Sequence, residues 1–169
     1  IWNEPNIYPE WGEQPVDPEG YTRLLQLAYR RAKAADPDCV ILCAGLAQTI
    51  EQGPRDLSDL IFLQRMYDAG ARGFFDIMGC MAYGIWTGAT DHRTAPDSVN
   101  FARAQLIRAI MVRNGDADKP IWATEIGWNS MPKELPGVAV YGRVKRQEQA
   151  RYAVEAYQRA QEEWPWMGV

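Results

Sequence analysis

The sequence predicts an α/β fold, a parallel sheet covered by helices and laid out as part of a (β/α)8 TIM barrel. Three observations carry that expectation. Short apolar, strand-like runs alternate strictly with helix-like stretches, the runs are continuously apolar, and the repeat is roughly 40 residues. Continuous apolar runs are what strands buried on both faces require. Eight such units would make about 320 residues, within the range of barrels that carry insertions. The 169 residues supply about four and a half units. The chain opens on the turn-like Trp2-Asn3-Glu4-Pro5 and stops inside an apolar run at Val169. The expectation is therefore a portion of a single barrel domain, with no linker and no internal repeat beyond the β/α alternation.

Each element has its own signal. Ile1-Trp2 reads as the tail of a strand. The first helix runs from about Pro18 to Ala35, with Tyr21, Leu24, Leu25, Ala28 and Ala32 on one face, Asp17 as N-cap and Pro18 at the first helical position. Asp36-Pro37 ends it. Cys39 to Ala44 is the next strand. A second helix, about Leu57 to Ala69, stops at Gly70 and leads to a strand at Ile77 to Met81. A third, about Asn100 to Arg113, turns Leu106, Ile107, Ile110 and Met111 inward and leads to a strand at Ile121 to Thr124. The fourth, about Lys145 to Glu163, carries Tyr152, Ala153, Ala156, Tyr157 and Ala160 as one stripe, and Pro165 breaks it before a last strand from Trp166. The Pro- and Gly-containing segment from Glu10 to Glu19 reads as a rim loop bordering substrate.

Composition narrows the classes of function. Hydrophobic residues at 47% and charged residues at 24% fit one globular domain with a core. The net charge of −4 comes from dispersed acids, with no Lys/Arg run to neutralise a line of phosphates, so nucleic acid is not expected as a partner. No apolar stretch reaches the length of about 20 residues that a membrane helix needs, and no membrane partner is expected. Localisation stays open, since a secretion signal would lie upstream of these residues. Cys39, Cys43 and Cys80 lack metal-ligand spacing and read as small apolar residues; on a strand, Cys39 and Cys43 would stand about 13 Å apart, too far to bridge. No ligand cluster or phosphate-cradling glycine loop occurs, so neither metal nor cofactor is expected.

The chemistry gathers on two acids. Glu4 follows the strand-like Ile1-Trp2, and Glu125 ends the apolar run Ile121-Trp122-Ala123-Thr124, so both are expected on the C-terminal rim of the sheet, where barrel active sites lie. Counted strand by strand, Glu125 would stand across the barrel mouth from Glu4. Breaking a glycosidic bond needs one carboxylic acid to protonate the leaving oxygen and one carboxylate to meet the oxocarbenium-like carbon. Their environments must push the two pKa values apart.

Trp2-Asn3-Glu4-Pro5-Asn6 and Trp122-Ala123-Thr124-Glu125-Ile126-Gly127-Trp128 resemble the strand-4 and strand-7 motifs of clan A glycoside hydrolases, in particular the cellulase-like and β-xylosidase-like families. The resemblance covers nearly the whole chain, from the end of strand 4 to the start of strand 8. It implies a retaining hydrolase of β-linked sugars, with Glu4 as acid/base, Glu125 as nucleophile and Asn3 as donor to the sugar 2-hydroxyl. One departure stands out. Many relatives carry a His two residues before the strand-6 Tyr, where Met81 precedes Ala82-Tyr83 here.

Tyr83, Trp86 and Trp128 follow strand ends, where rings can stack on sugar C–H faces and the Tyr83 hydroxyl can reach Glu125. Trp122 and Trp166 lie within strands and read as core, and Trp2 fits either role. His92, the sole histidine, has no catalytic or ligating partner in sequence and reads as solvated. Two further readings stay open. A barrel that binds carbohydrate without cutting it, or an inactive fragment, would bind but not hydrolyse. An aldolase or metal-dependent hydrolase would need a strand-end lysine or ligand cluster that is missing.

Overall fold

The computed structural model describes residues 1–132, 134–135 and 141–168. Its elements in chain order are α1 (Pro18–Ala35), α2 (Asp59–Asp68), β1 (Met78–Tyr83), a 3-10 turn (Phe101–Arg103), α3 (Ala104–Arg113), β2 (Ile121–Gly127), α4 (Arg146–Glu163) and β3 (Met167–Gly168). The three strands form one parallel sheet in the order β1-β2-β3.

The sheet is open, which corrects the partial (β/α)8 TIM barrel expected from the alternation. The described residues form a small α/β domain of four helices and three parallel strands. Closing a barrel takes tilted, staggered strands all the way round. Here the last strand is two residues long, and the run Cys39 to Ala44 makes no strand. Residues 41–46 lie beside β1 as isolated bridges, Leu42–Ile77 just before it and Leu46–Cys80 on it, and the Gly79 N–H donates to the Cys43 carbonyl at 3.2 Å. Local periodicity is the same for strands of an open and of a closed sheet, so it could not decide closure.

Nor are the strands all buried on both faces. Along β2, Ile121 and Ala123 are buried while Trp122 is 46% exposed, so this strand alternates in burial although its sequence is continuously apolar. Trp122 is therefore not a core residue. Trp166 is half-buried, stacked on Trp164 at 5.5 Å. The final strand begins at Met167, and Val169 lies outside the described residues.

The helices form where their caps and apolar spacing place them. The Asp17 carboxylate accepts from the Gly20 N–H at 2.8 Å, Pro18 opens α1, and Tyr21 and Leu25 are buried. Ser58 caps α2, and Gly70 beyond its end adopts φ 85°, a left-handed conformation that suits glycine. α1, α2 and α3 pack in succession, α3 lies on β1, and α4 lies on β2 and β3. In α4, Ala156 and Ala160 point inward, whereas Tyr157 is exposed and Arg159 takes a buried place instead. Arg159 donates to the carbonyls of Ala89 (2.7 Å) and Asp91 (3.0 Å) and to His92 Nδ1 (2.9 Å). His92 is exposed as expected, but this contact makes its Nδ1 an acceptor.

β1 and residues 43–45 approach each other closely. A Cβ on Gly79 would fall 2.5 Å from the Cys43 carbonyl oxygen and 2.6 Å from the Gly45 nitrogen, so only glycine permits this approach. Cys43 and Cys80 are buried, Cys39 is half-buried, and all three thiols are free. Burial raises the Cys43 thiol to about 11 and the Cys80 thiol to about 12.

Candidate active site

Glu4 sits in a turn rather than at a strand end. Trp2 and Glu4 adopt φ 68° and 42°, a left-handed conformation that side chains other than glycine avoid. Surrounding bonds hold it. The Glu4 N–H donates to the Gly45 carbonyl at 3.0 Å, and the Ile1 main-chain nitrogen donates to the Leu42 carbonyl at 2.6 Å. Two residues on, the buried Asn6 clips the turn to two distant segments. Its Nδ2 donates to the carbonyls of Ala47 and Leu57, both at 2.9 Å, and its Oδ1 accepts from the Ala47 N–H at 2.8 Å. The Leu57 N–H returns a bond to the Asn6 carbonyl at 2.8 Å.

Glu125 is placed by a different device. Cys80 pairs with Ala123, but Met81 pairs with Glu125, so β2 carries one extra residue, Thr124, opposite the Cys80–Met81 step. A bulge of this kind re-aims the side chains that follow it. With strict alternation Glu125 would share the buried side of Ile121 and Ala123. Instead both Thr124 and Glu125 are exposed, and Glu125 Oε2 accepts from the Tyr83 hydroxyl at 2.5 Å. Thr124 Oγ1 bonds the Cys80 carbonyl at 3.2 Å and faces the Met81 sulfur at 3.6 Å. Met81 is thus a buried packing partner of the bulge.

A cavity of about 1110 Å³ opens beside these residues, lined among others by Glu4, Tyr8, Glu10, Gln48, Tyr83 and Trp128. Burial first, then the charges of Glu125 and Glu10, raises the Glu4 carboxyl to about 7. The Tyr83 phenol is pushed well above its ordinary value by burial and by its bond to Glu125, so it stays a hydrogen-bond donor. The arrangement offers one carboxyl raised by its surroundings near a second that accepts from Tyr83.

The structure thus brings Glu4, Tyr83 and Trp128 to one cavity, and reaches Glu125 through Tyr83; Glu125 is not itself among the lining residues. Trp128 is only 5% exposed and is fixed by packing, its indole N–H donating to the Thr87 carbonyl at 2.7 Å and its ring set against Phe101 and Tyr152. Two more expected residues fall outside the lining. Asn3 is exposed at the turn, and Trp86 is 60% exposed on the loop after β1. Trp2 donates its indole N–H to the Glu10 carbonyl at 2.8 Å and packs edge-on to Trp11, which ties the Glu4 turn to the 5–12 loop.

Sequence reasoning missed Glu10 as a neighbour of Glu4, and Gln48, Asn129 and Tyr141 as lining residues. They stand in irregular segments with no periodic signal; only the reading of Glu10 to Glu19 as a rim loop pointed toward one of them. Among the described residues no group of His, Cys, Asp and Glu side chains is arranged to hold a metal ion. Compared with protein-family models and with curated proteins, the chain matches none.

Proposed function

We propose that this protein is a retaining O-glycosyl hydrolase acting on β-linked sugars, with Glu4 as acid/base and Glu125 as nucleophile. The observation that carries the reading is the Glu4 carboxyl raised to about 7 by burial and by the charge of Glu125, on the wall of a sugar-sized cavity. The reading needs no closed barrel. It needs only two acids of unlike environment at one opening.

In the first step Glu4 gives its proton to the glycosidic oxygen while the Glu125 carboxylate bonds the anomeric carbon, expelling the alcohol and leaving a glycosyl ester. The Tyr83 hydroxyl donates to Glu125 and orients it for attack. Once esterified, Glu125 no longer carries the charge that helps hold the proton on Glu4. Glu4 then becomes the better-ionised group and takes a proton from water as that water attacks the same carbon, releasing the sugar with retained configuration. Retention itself rests on the likeness of the two motifs to clan A hydrolases.

Kinetics of the full-length protein on activated aryl β-glycosides test this. Glu125→Gln is expected to abolish turnover, and a variant at wild-type rate would end the assignment. Glu4→Ala is expected to be rescued by azide, which needs no general base to attack the ester; absence of rescue counts against Glu4. For glycosides with poor leaving groups, kcat/KM should fall as pH rises through about 7, where Glu4 loses its proton. Binding of oligosaccharides with no cleavage by the wild type would instead favour a non-catalytic carbohydrate-binding protein.

A further inference from the structure

We propose that the cavity takes a carbohydrate of at least two rings, and that Tyr141 is the specificity-determining residue that stacks on the ring beyond the reacting sugar. This deepens the glycosidase reading and rests on it for the chemical class of the ligand.

The first ground is size. At about 1110 Å³ the cavity exceeds the roughly 300–1,000 Å³ of pockets that enclose a drug-sized ligand, so a single sugar ring leaves much of it to water. The second is Tyr141, a cavity-lining aromatic that is nevertheless 68% exposed. An aromatic that lines a cavity and yet stays this exposed is available to a ligand emerging from it.

The third ground is that the backbone beside this ring is held. Gly142 adopts φ 67°, and a Cβ there would lie 2.0 Å from the Ile85 carbonyl oxygen, so the chain passes Ile85 at a distance only glycine allows. Asn129 Nδ2 donates to the Gly142 carbonyl at 3.0 Å, and the Val144 N–H donates to the Asn129 carbonyl at 2.8 Å. Asn129 and Ile85 also line the cavity. Tyr141 is thus presented next to a segment anchored on two cavity walls. A pre-positioned ring loses little conformational freedom on binding, which is what an effective stacking platform requires.

The test uses the Glu125→Gln protein, which separates binding from turnover, titrated calorimetrically with β-linked gluco-, xylo-, manno- and galacto-oligosaccharides of one to four rings. At least one series is expected to gain about tenfold in affinity from one ring to two. Tyr141→Ala in the same background should flatten that gain to less than about twofold, while Tyr141→Phe, which keeps the ring, should preserve it. Circular dichroism checks that both variants fold. No binding in any series, no gain with length, or a gain unchanged by Tyr141→Ala overturns the proposal. Wild-type cleavage of the same series is read separately: a Tyr141-dependent gain without cleavage sinks the hydrolase reading and leaves this one standing, and cleavage without the gain does the reverse.

Discussion

The two acids of the site are held by opposite means. Glu4 occupies a left-handed turn, half-buried, and owes its pose to main-chain and Asn6 bonds from segments more than forty residues away in the chain. Glu125 stands on a regular strand, exposed, and owes its direction to one extra residue in that strand and to one phenol. Burial raises the Glu4 carboxyl, whereas the Glu125 side chain is left in reach of water. Tertiary context thus sets the proton affinity of the first, and local backbone geometry sets the orientation of the second.

The comparison can be broken most severely at the strand. Deleting Thr124 removes the bulge and returns residue 125 to the buried side, so activity is expected to fall at least about 10³-fold, as when a nucleophile is lost. A deletion variant with a normal rate and a normal fold by circular dichroism would show that the bulge does not aim Glu125. At the turn, Asn6→Ala leaves two carbonyls and one N–H without their buried partner and should cost about 2–4 kcal/mol, read by urea denaturation. A cost below about 0.5 kcal/mol would mean that the Glu4 turn is held by something else.

Tyr83→Phe takes one donor from Glu125 and should lower kcat by about 10- to 100-fold with little change in KM. An unchanged kcat would detach Tyr83 from the chemistry. The smallest effect is on stability. Glu4 binds its proton more tightly folded than unfolded, so the stability it contributes is present below about pH 4.5 and is lost as pH rises through about 7. Glu4→Gln cannot lose it. The Tm of the variant should therefore gain on the wild type between pH 5 and pH 8, by at most a few degrees at so solvent-accessible a group. A difference independent of pH would mean that Glu4 titrates normally.

Much of the secondary structure was legible because it rests on short-range chemistry. Asp17-Pro18 starts α1 and Gly70 closes α2 where the sequence puts them, and the runs at 77–81 and 121–124 lie within β1 and β2 apart from Ile77, which only bridges. The closed barrel was misread because continuous apolarity was taken as burial on both faces, and Trp122 disproves that by sitting apolar and exposed. Glu4 and Glu125 were found from their motifs, but their settings were hidden. A bulge depends on which partner residue lies opposite, and the turn depends on Gly45 and Leu57, neither of which the sequence places beside Glu4.

Gly79 gives the site an unexpected dependence. The missing methyl there sets how closely residues 43–45 approach β1, and the carbonyl of Gly45 in turn anchors the Glu4 main chain. One hydrogen atom in the middle of a buried strand therefore acts as a spacer for the Glu4 main chain. Adding a single carbon at that point would push the Glu4 anchor outward.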